Sequence, residues 1–126
     1  MENSKDLKAG NYVLHRGEIK PIWQVRYNAV DFLIGFDKNE NPFYQSWKLV
    51  AIEPIQLSEE ILLKCGFVEN GDTSQFHLEG QIVSYNKLDG VHFWIMGTDK
   101  CIRVKHLHQL QNLYFALTGQ ELNIEL

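Results

Sequence analysis

The strongest constraint on the fold is the apolar pattern near the C-terminal end, in the stretch HLHQLQNLYFALTG, residues 106–119. Large apolar side chains recur there every three or four residues, which is the repeat of an amphipathic helix. They are Leu107, Leu110, Leu113, Tyr114 and Leu117. The polar residues, which are His108, Gln109, Gln111 and Asn112, fall largely on the other side, and Gly119 ends the pattern. The pattern therefore predicts a helix whose apolar face packs on another layer.

The first part of the chain has a different pattern, made of short β-type runs separated by turn residues. These runs are 11–16, 19–27, 29–36, 43–47 and 49–55. The second contains Pro21, which has no N–H to donate, so this run begins at an edge or at a bulge. Five short strands with short connections are typical of a small curled sheet or an SH3-like barrel.

The spacing of the apolar residues changes from a strand repeat to a helical repeat at residues 57–67, LSEEILLKCGF. Ser58 is a good N-cap, and Gly66 suits the left-handed position that follows a helix, so a helix of about two turns is predicted. Beyond it, residues 68–74 read as a loop. Residues 75–86 then read as one or two strands, with Gly80 at a turn or bulge. Residues 91–96 and 101–106 read as further antiparallel strands, with KLDG at 87–90 as a hairpin connection.

These elements together predict an α+β fold. Residues 1–56 form an N-terminal SH3-like curled antiparallel sheet. Residues 57–126 form a short helix and an antiparallel β-meander with the C-terminal helix packed on it, as one compact unit. Leu110, Leu113 and Leu117 are expected to be buried against the meander because they share one helical face.

Composition narrows the class of protein. The net charge is −4, and residues 58–126 carry the whole deficit, with five basic against nine acidic side chains. This balance argues against non-specific binding of nucleic acid, which usually requires a basic face. Cys65 and Cys101 make no disulfide framework, and no signal peptide or membrane-spanning run is visible, so a soluble cytoplasmic protein is expected.

No motif for catalysis is present. The chain has no nucleophile elbow, no papain-like cysteine and no phosphate-binding glycine loop, so we expect no enzyme activity and no cofactor. His106 and His108 would need Cys101, His77 or His92 to complete a metal site, because zinc takes three or four protein ligands. We therefore predict no metal site, and we expect the two C-terminal histidines at the surface or at the strand–helix junction.

Aromatic and basic residues alternate on the predicted N-terminal strands, and they form the candidate binding surface. Its members are Arg16, Lys20, Trp23, Arg26, Tyr44 and Trp47. Such a mixture can stack bases of single-stranded nucleic acid, and it can equally fill and rim a small barrel. Lys20 and Arg26 share strand parity, whereas Trp23 does not. Only a bulge at Pro21 would bring Trp23 to their side.

Three blocks of the chain carry a resemblance. They are LKAGNYVLHRG, IEPIQLSEEILLKCGF and VKHLHQLQNLYFALTGQEL. The chain resembles a family of small uncharacterised bacterial proteins that occur near mobile elements and have a helix of the HQLQNLYFALTG type near the C-terminus. This chain has Ala9, Ser58, Cys65 and Leu107 where the family more often has Ile, Thr, Phe and Val. The resemblance implies a free-standing small protein of mobile-element origin, and it implies no activity.

The sequence therefore leads to two functional hypotheses. The first is a non-enzymatic module for protein interaction or self-assembly, whose partner is another protein or a second copy of the chain. The alternative is an accessory nucleic-acid-binding protein. A contiguous basic patch of Arg16, Lys20 and Arg26 would favour the alternative.

Overall fold

A computed structural model describes residues 5–69, 75–78, 83–86, 92–95 and 101–125. The protein is α+β, with antiparallel sheets and a C-terminal helix. It divides into two compact units. The N-terminal unit comprises Met1–Ile55 and Leu107–Asn112, and the second unit comprises Gln56–His106 and Leu113–Leu126. The sequence predicts that residues 57–126 form one unit, whereas the first half of the C-terminal helix, Leu107–Asn112, groups with the N-terminal residues.

The N-terminal unit contains six strands and one turn of 3-10 helix. They are β1 (Tyr12–His15), β2 (Glu18–Pro21), β3 (Gln24–Val25), β4 (Ala29–Phe36), β5 (Pro42–Lys48), the 3-10 turn (Leu49–Ala51) and β6 (Ile52–Glu53). They form two antiparallel three-stranded sheets, in the orders β2-β1-β6 and β3-β4-β5. The predicted strand over 49–55 is therefore only two residues long, because its first three residues form the 3-10 turn.

The predicted single strand over 19–27 is divided between the two sheets. Ile22 donates its N–H to the carbonyl of Asn11 at 2.8 Å, on the side of β1. The next residue, Trp23, donates to the carbonyl of Asp31 at 2.8 Å, on the side of β4. Pro21 immediately precedes this change and has no N–H to continue a ladder. The chain thus leaves one sheet and enters the other at Ile22 and Trp23.

One apolar cluster draws on both sheets of the N-terminal unit. Its buried members are Leu7, Val13, Ile22, Val30, Phe32, Leu49 and Ile52. Val25 and Trp47 pack against it and are partly buried. Strands that switch sheets around a shared core are a known way to build the corners of a small β structure.

The second unit begins with α1 (Glu59–Lys64). The Ser58 hydroxyl accepts a hydrogen bond from the N–H of Ile61 at 3.2 Å, and Gly66 has a φ of +89°. Both ends of this helix are therefore confirmed, because an N-cap acceptor and a left-handed residue after the last turn satisfy the free backbone groups of a helix.

Five antiparallel strands follow among the described residues of the second unit. They are β7 (Phe67–Glu69), β8 (Gln75–Leu78), β9 (Val83–Asn86), β10 (His92–Ile95) and β11 (Cys101–Arg103). Their order is β11-β10-β9-β8-β7, so each strand pairs with its neighbours along the chain, as a meander requires. Residues 68 and 69, expected in a loop, belong to β7. The predicted hairpin connection at 87–90 lies outside the described residues.

The C-terminal helix α2 (Leu107–Thr118) has the predicted extent, but its polar side is not solvent-facing throughout. Leu107 and Leu110 are fully buried, as the pattern predicts. His108 and Gln111 are also buried, with 1% and 2% of their surface exposed. His108 is therefore not at the surface, although it lies at the strand–helix junction as the second residue of α2. Packing of residues 113–118 on the meander stays a prediction.

Hydrogen bonds explain why these polar groups are buried. Nε2 of His108 lies 3.0 Å from Oδ2 of Asp6. The Gln111 amide accepts from the N–H of Tyr12 at 2.9 Å and donates to the carbonyl of Gly10 at 3.1 Å. Burial of a polar group is tolerated when such partners are present. Across the described part of the chain, no helix is long and apolar enough to cross a membrane.

Candidate functional site

A groove of about 400 Å³ opens in the N-terminal unit, where the chain switches between the two sheets. Its lining residues are Lys20, Pro21, Ile22, Trp23, Phe32, Leu33, Ile34 and Gln45. One wall is the segment from β2 to Trp23, and the other is β4. We call this feature the Trp23 groove. Its position follows from the fold, because β2 and β4 belong to different sheets and the chain passes from one sheet to the other at Ile22 and Trp23.

Large apolar side chains are exposed at the Trp23 groove. Trp23 has 40% of its surface exposed and Ile34 has 58%. The ring of Trp23 meets that of Phe36 edge-on, with 6.3 Å between centroids, and Phe36 is itself 57% exposed. Grouped exposure of this kind marks an interaction surface more often than single exposed apolar residues do.

Strand β4 extends beyond its pairing with β3 at the same place. Strand β3 spans only Gln24 and Val25, whereas β4 continues to Phe36. The carbonyls of Ala29 and Asp31 accept hydrogen bonds from the β3 side. Because hydrogen-bonding direction alternates along a strand, the N–H and C=O of Leu33 point to that side as well. The pairing with β3 does not reach Leu33, so an added extended chain could form backbone hydrogen bonds with this edge.

A cluster centred on a buried histidine adjoins the groove. His15 is 2% exposed, and its ring lies 4.3 Å from that of Trp47 and 5.5 Å from that of Phe32, between centroids. The ammonium of Lys20 lies 3.1 Å from Nδ1 of His15. Burial, and then the positive charges of Lys20 and Arg16, lower the pKa of His15 from its ordinary value. Neutral His15 therefore accepts at Nδ1 and carries its proton on Nε2.

The two cations of this cluster lie on aromatic rings. The Arg16 guanidinium is 4.6 Å from the centroid of Trp47, and the Lys20 ammonium is 5.5 Å from that of Phe32. Glu18 lies 3.8 Å from Lys20 and is largely exposed. We call this group the His15 cluster. Its members are His15, Arg16, Lys20, Phe32 and Trp47.

Two buried donors of the His15 cluster are unsatisfied. Nε2 of His15 and Nε1 of Trp47 have no hydrogen-bond partner among the described residues. Buried polar atoms nearly always have one, so each exception requires an explanation. Both are N–H donors and both belong to rings in contact, and neither His15 nor Trp47 lines the Trp23 groove.

The other side of the β3-β4-β5 sheet is arranged differently. Asp31 is fully buried, and its carboxylate accepts from Nε of Arg26 at 2.8 and 3.1 Å and from the Ser46 hydroxyl. The Arg26 guanidinium also donates to the Tyr44 hydroxyl at 3.1 Å. The hydrogen bond and charge of Asp31 raise the pKa of Arg26. Hydrogen bonds thus connect the four side chains in one network.

The structure thus divides the six predicted surface residues. Lys20 and Trp23 line the Trp23 groove, because the switch between sheets brings Trp23 to the side of Lys20. Arg16 and Trp47 belong to the adjoining His15 cluster. Arg26 and Tyr44 bond to each other on the other face, since Tyr44 pairs with Leu33 and Trp47 pairs with Val30. A contiguous patch of Arg16, Lys20 and Arg26 is therefore not formed.

Sequence reasoning missed part of this site. Ile34 and Phe36 were read as parts of a central strand, although both are exposed beyond the end of β3. A register shift between Leu33 and Gly35 moves them out of simple alternation, and Gly35, a glycine inside a strand, is the sequence signal that could have indicated it. His15 was not among the predicted surface residues, although it shares strand parity with the apolar Val13, and both are buried on one face of β1.

Metal-binding and nucleophilic groups are few in what the structure describes. No three His, Cys, Asp or Glu side chains among the described residues are grouped so as to hold a metal ion. Cys65 is buried, and burial raises the pKa of its thiol to about 12. The thiolate, which is the nucleophilic form, is therefore scarce at neutral pH.

Comparison of the chain with family models, with curated proteins and with solved structures finds no match.

Proposed function

We propose that the N-terminal unit is an SH3-like barrel that serves as a protein-interaction module. Two three-stranded sheets, a strand segment divided between them at Ile22 and Trp23, and one apolar cluster drawn from both sheets support the barrel. The family resemblance, the mobile-element origin and the cytoplasmic location stay predictions.

The proposed ligand is an extended, apolar segment of a partner protein, bound in the Trp23 groove. The observation that carries this proposal is the groove itself, with Trp23 and Ile34 exposed along it. Apolar side chains of the segment would fill the groove, and its backbone would bond to the edge of β4 at Leu33. Addition of a strand to a free sheet edge is a common mode of peptide recognition.

Selection from a random peptide display library tests this function without a known partner. We expect wild-type protein to enrich extended peptides with alternating apolar residues, because successive side chains of a strand point to opposite sides. Ile34→Asp places a charge in the groove and should abolish enrichment. Val50→Asp is the matched control, since Val50 is 86% exposed and does not line the groove.

Two outcomes would contradict this function. Equal enrichment by wild type and Ile34→Asp would place the peptide elsewhere. Concentration-dependent dimerisation of wild type that Ile34→Asp removes would make a second copy of the chain the occupant instead.

Single-stranded nucleic acid is the second candidate ligand. The observation in its favour is that Lys20 and Trp23 line the same groove, which permits stacking and a phosphate contact at one place. Fluorescence anisotropy with a labelled oligonucleotide at low and moderate salt tests it. Tight binding that survives moderate salt and is lost in Trp23→Ala would make nucleic acid the primary ligand.

A further inference from the structure

We propose that the Lys20 end of the Trp23 groove is a carboxylate subsite, so that the bound segment carries Asp or Glu beside its apolar residues. The subsite is the Lys20 ammonium, with the exposed Arg16 guanidinium on the adjoining ring of Trp47 as a second positive charge. This inference rests on the proposed function, because it specifies the chemistry of the segment that the groove binds.

Lys20 connects the groove to the subsite. Its side chain lines the groove, and its ammonium lies 3.1 Å from Nδ1 of His15. This contact fixes the ammonium at the end of the groove and leaves other N–H bonds of Lys20 available, since an ammonium has three. Glu18 at 3.8 Å is the nearby acid, and its side chain is 74% exposed, so water screens that pair strongly.

The charges at this end of the groove indicate the kind of ligand. Lys20 and Arg16 are both positive, and the imidazole beside them is neutral. Their N–H groups bind a negatively charged acceptor more strongly than a neutral one. Among the side chains of a peptide, a carboxylate meets this condition. Arg16 lies on the ring of Trp47 and is itself exposed, so it adds a second positive charge next to Lys20 and His15.

A pair of short peptides that differ in one group tests the subsite. The probes are acetyl-Leu-Glu-Leu-amide and acetyl-Leu-Gln-Leu-amide, titrated against the full chain and followed by NMR. We expect the Glu peptide to bind about three- to fivefold more tightly, as for one partly exposed ion pair. The difference should disappear in Lys20→Met, which keeps the aliphatic lining, and persist in Lys20→Arg. Lys38→Met, the same change at an exposed turn, is the control.

The His15 imidazole gives a second readout. A carboxylate beside the ring opposes the effect of Lys20 and Arg16, so the titration midpoint of His15 should rise with the Glu peptide and not with the Gln peptide. Equal binding of the two peptides, with no change at His15, would overturn the subsite and leave the apolar groove in place. Binding of neither peptide would overturn the groove and the subsite together.

Discussion

The two sides of the β3-β4-β5 sheet use similar residues in different ways. On one side, the charges of Arg26 and Asp31 neutralise each other, and Ser46 and Tyr44 bond to the same pair. On the other side, Lys20 meets a neutral histidine and an exposed Glu18 at 3.8 Å, and Nε2 of His15 and Nε1 of Trp47 have no acceptor among the described residues. The first arrangement is closed, and the second has capacity left for a ligand.

This difference shows why a count of basic residues does not locate a binding surface. Arg26 and Lys20 look alike in the sequence, but Arg26 is committed to a fully buried carboxylate on its own sheet. A charge that is already paired adds little attraction for a ligand, because binding would have to break the pair first. Exposed aromatic rings, and a cation whose acidic neighbour is itself exposed, are the better markers of recognition.

The closed side should carry the largest stability effect. Asp31→Ala removes the acceptor of both Arg26 and Ser46 from a fully buried position, so we expect unfolding to become easier by about 2–4 kcal/mol in urea titrations. The estimate lies below that for a wholly buried ion pair because Arg26 is 43% exposed and can turn to water. Ser46→Ala removes one hydrogen bond only and should cost about 1 kcal/mol. An Asp31→Ala protein as stable as wild type would show that this side is not a structural clamp.

The sequence predicted well wherever one local rule decides the structure. Strand β4 has the predicted bounds, because its apolar run is closed by turn residues on both sides. The N-cap at Ser58 and the glycine at 66 fixed both ends of α1 for the same reason. These features depend on backbone groups a few residues apart, which a single sequence displays.

Sequence reasoning failed where partners come from distant parts of the chain. His108 and Gln111 fit a polar helix face, but residues about a hundred positions away supply their hydrogen bonds. The Trp23 groove was equally hidden, since it arises where two strands pair with different sheets. Pro21 indicated an irregularity in this part of the chain. Trp23, which follows the switch between the sheets, lines the same groove as Lys20, which is the placement that a bulge at Pro21 would also give.

The open side should give a smaller effect, and one that depends on pH. His15 is buried with a lowered pKa, whereas in the unfolded chain its pKa is near 6.5. The unfolded state therefore takes up the proton first, and the free energy of unfolding falls as pH drops below about 6.5, by at most about 1.4 kcal/mol per pH unit.

His15→Phe isolates this contribution. The variant keeps an aromatic ring beside Trp47 and removes an unsatisfied donor, so at pH 8 its stability should lie within about 1 kcal/mol of wild type. Below pH 6.5 the free energy of unfolding should fall less in the variant than in wild type, as measured by urea unfolding at each pH. Parallel curves from pH 8 to pH 5 would show that His15 does not titrate with folding, and would remove the electrostatic distinction between the two sides.

The smallest stability effect should come from the exposed rim of the groove, and this is where the comparison is most sharply tested. Ile34→Thr keeps a β-branched side chain on a strand and removes apolar surface that water already reaches, so unfolding should change by no more than about 0.5 kcal/mol. Binding of acetyl-Leu-Glu-Leu-amide should nevertheless weaken about fivefold, because roughly 1 kcal/mol of apolar contact is lost only in the complex. Val50→Thr makes the same substitution at a site 86% exposed and outside the groove, and it should alter neither quantity. A residue that serves the fold loses stability and binding together, whereas one that serves recognition loses binding alone. If Ile34→Thr destabilised the protein as much as Asp31→Ala does, the exposed rim would belong to the structural framework, and the two sides of the sheet would no longer differ in kind.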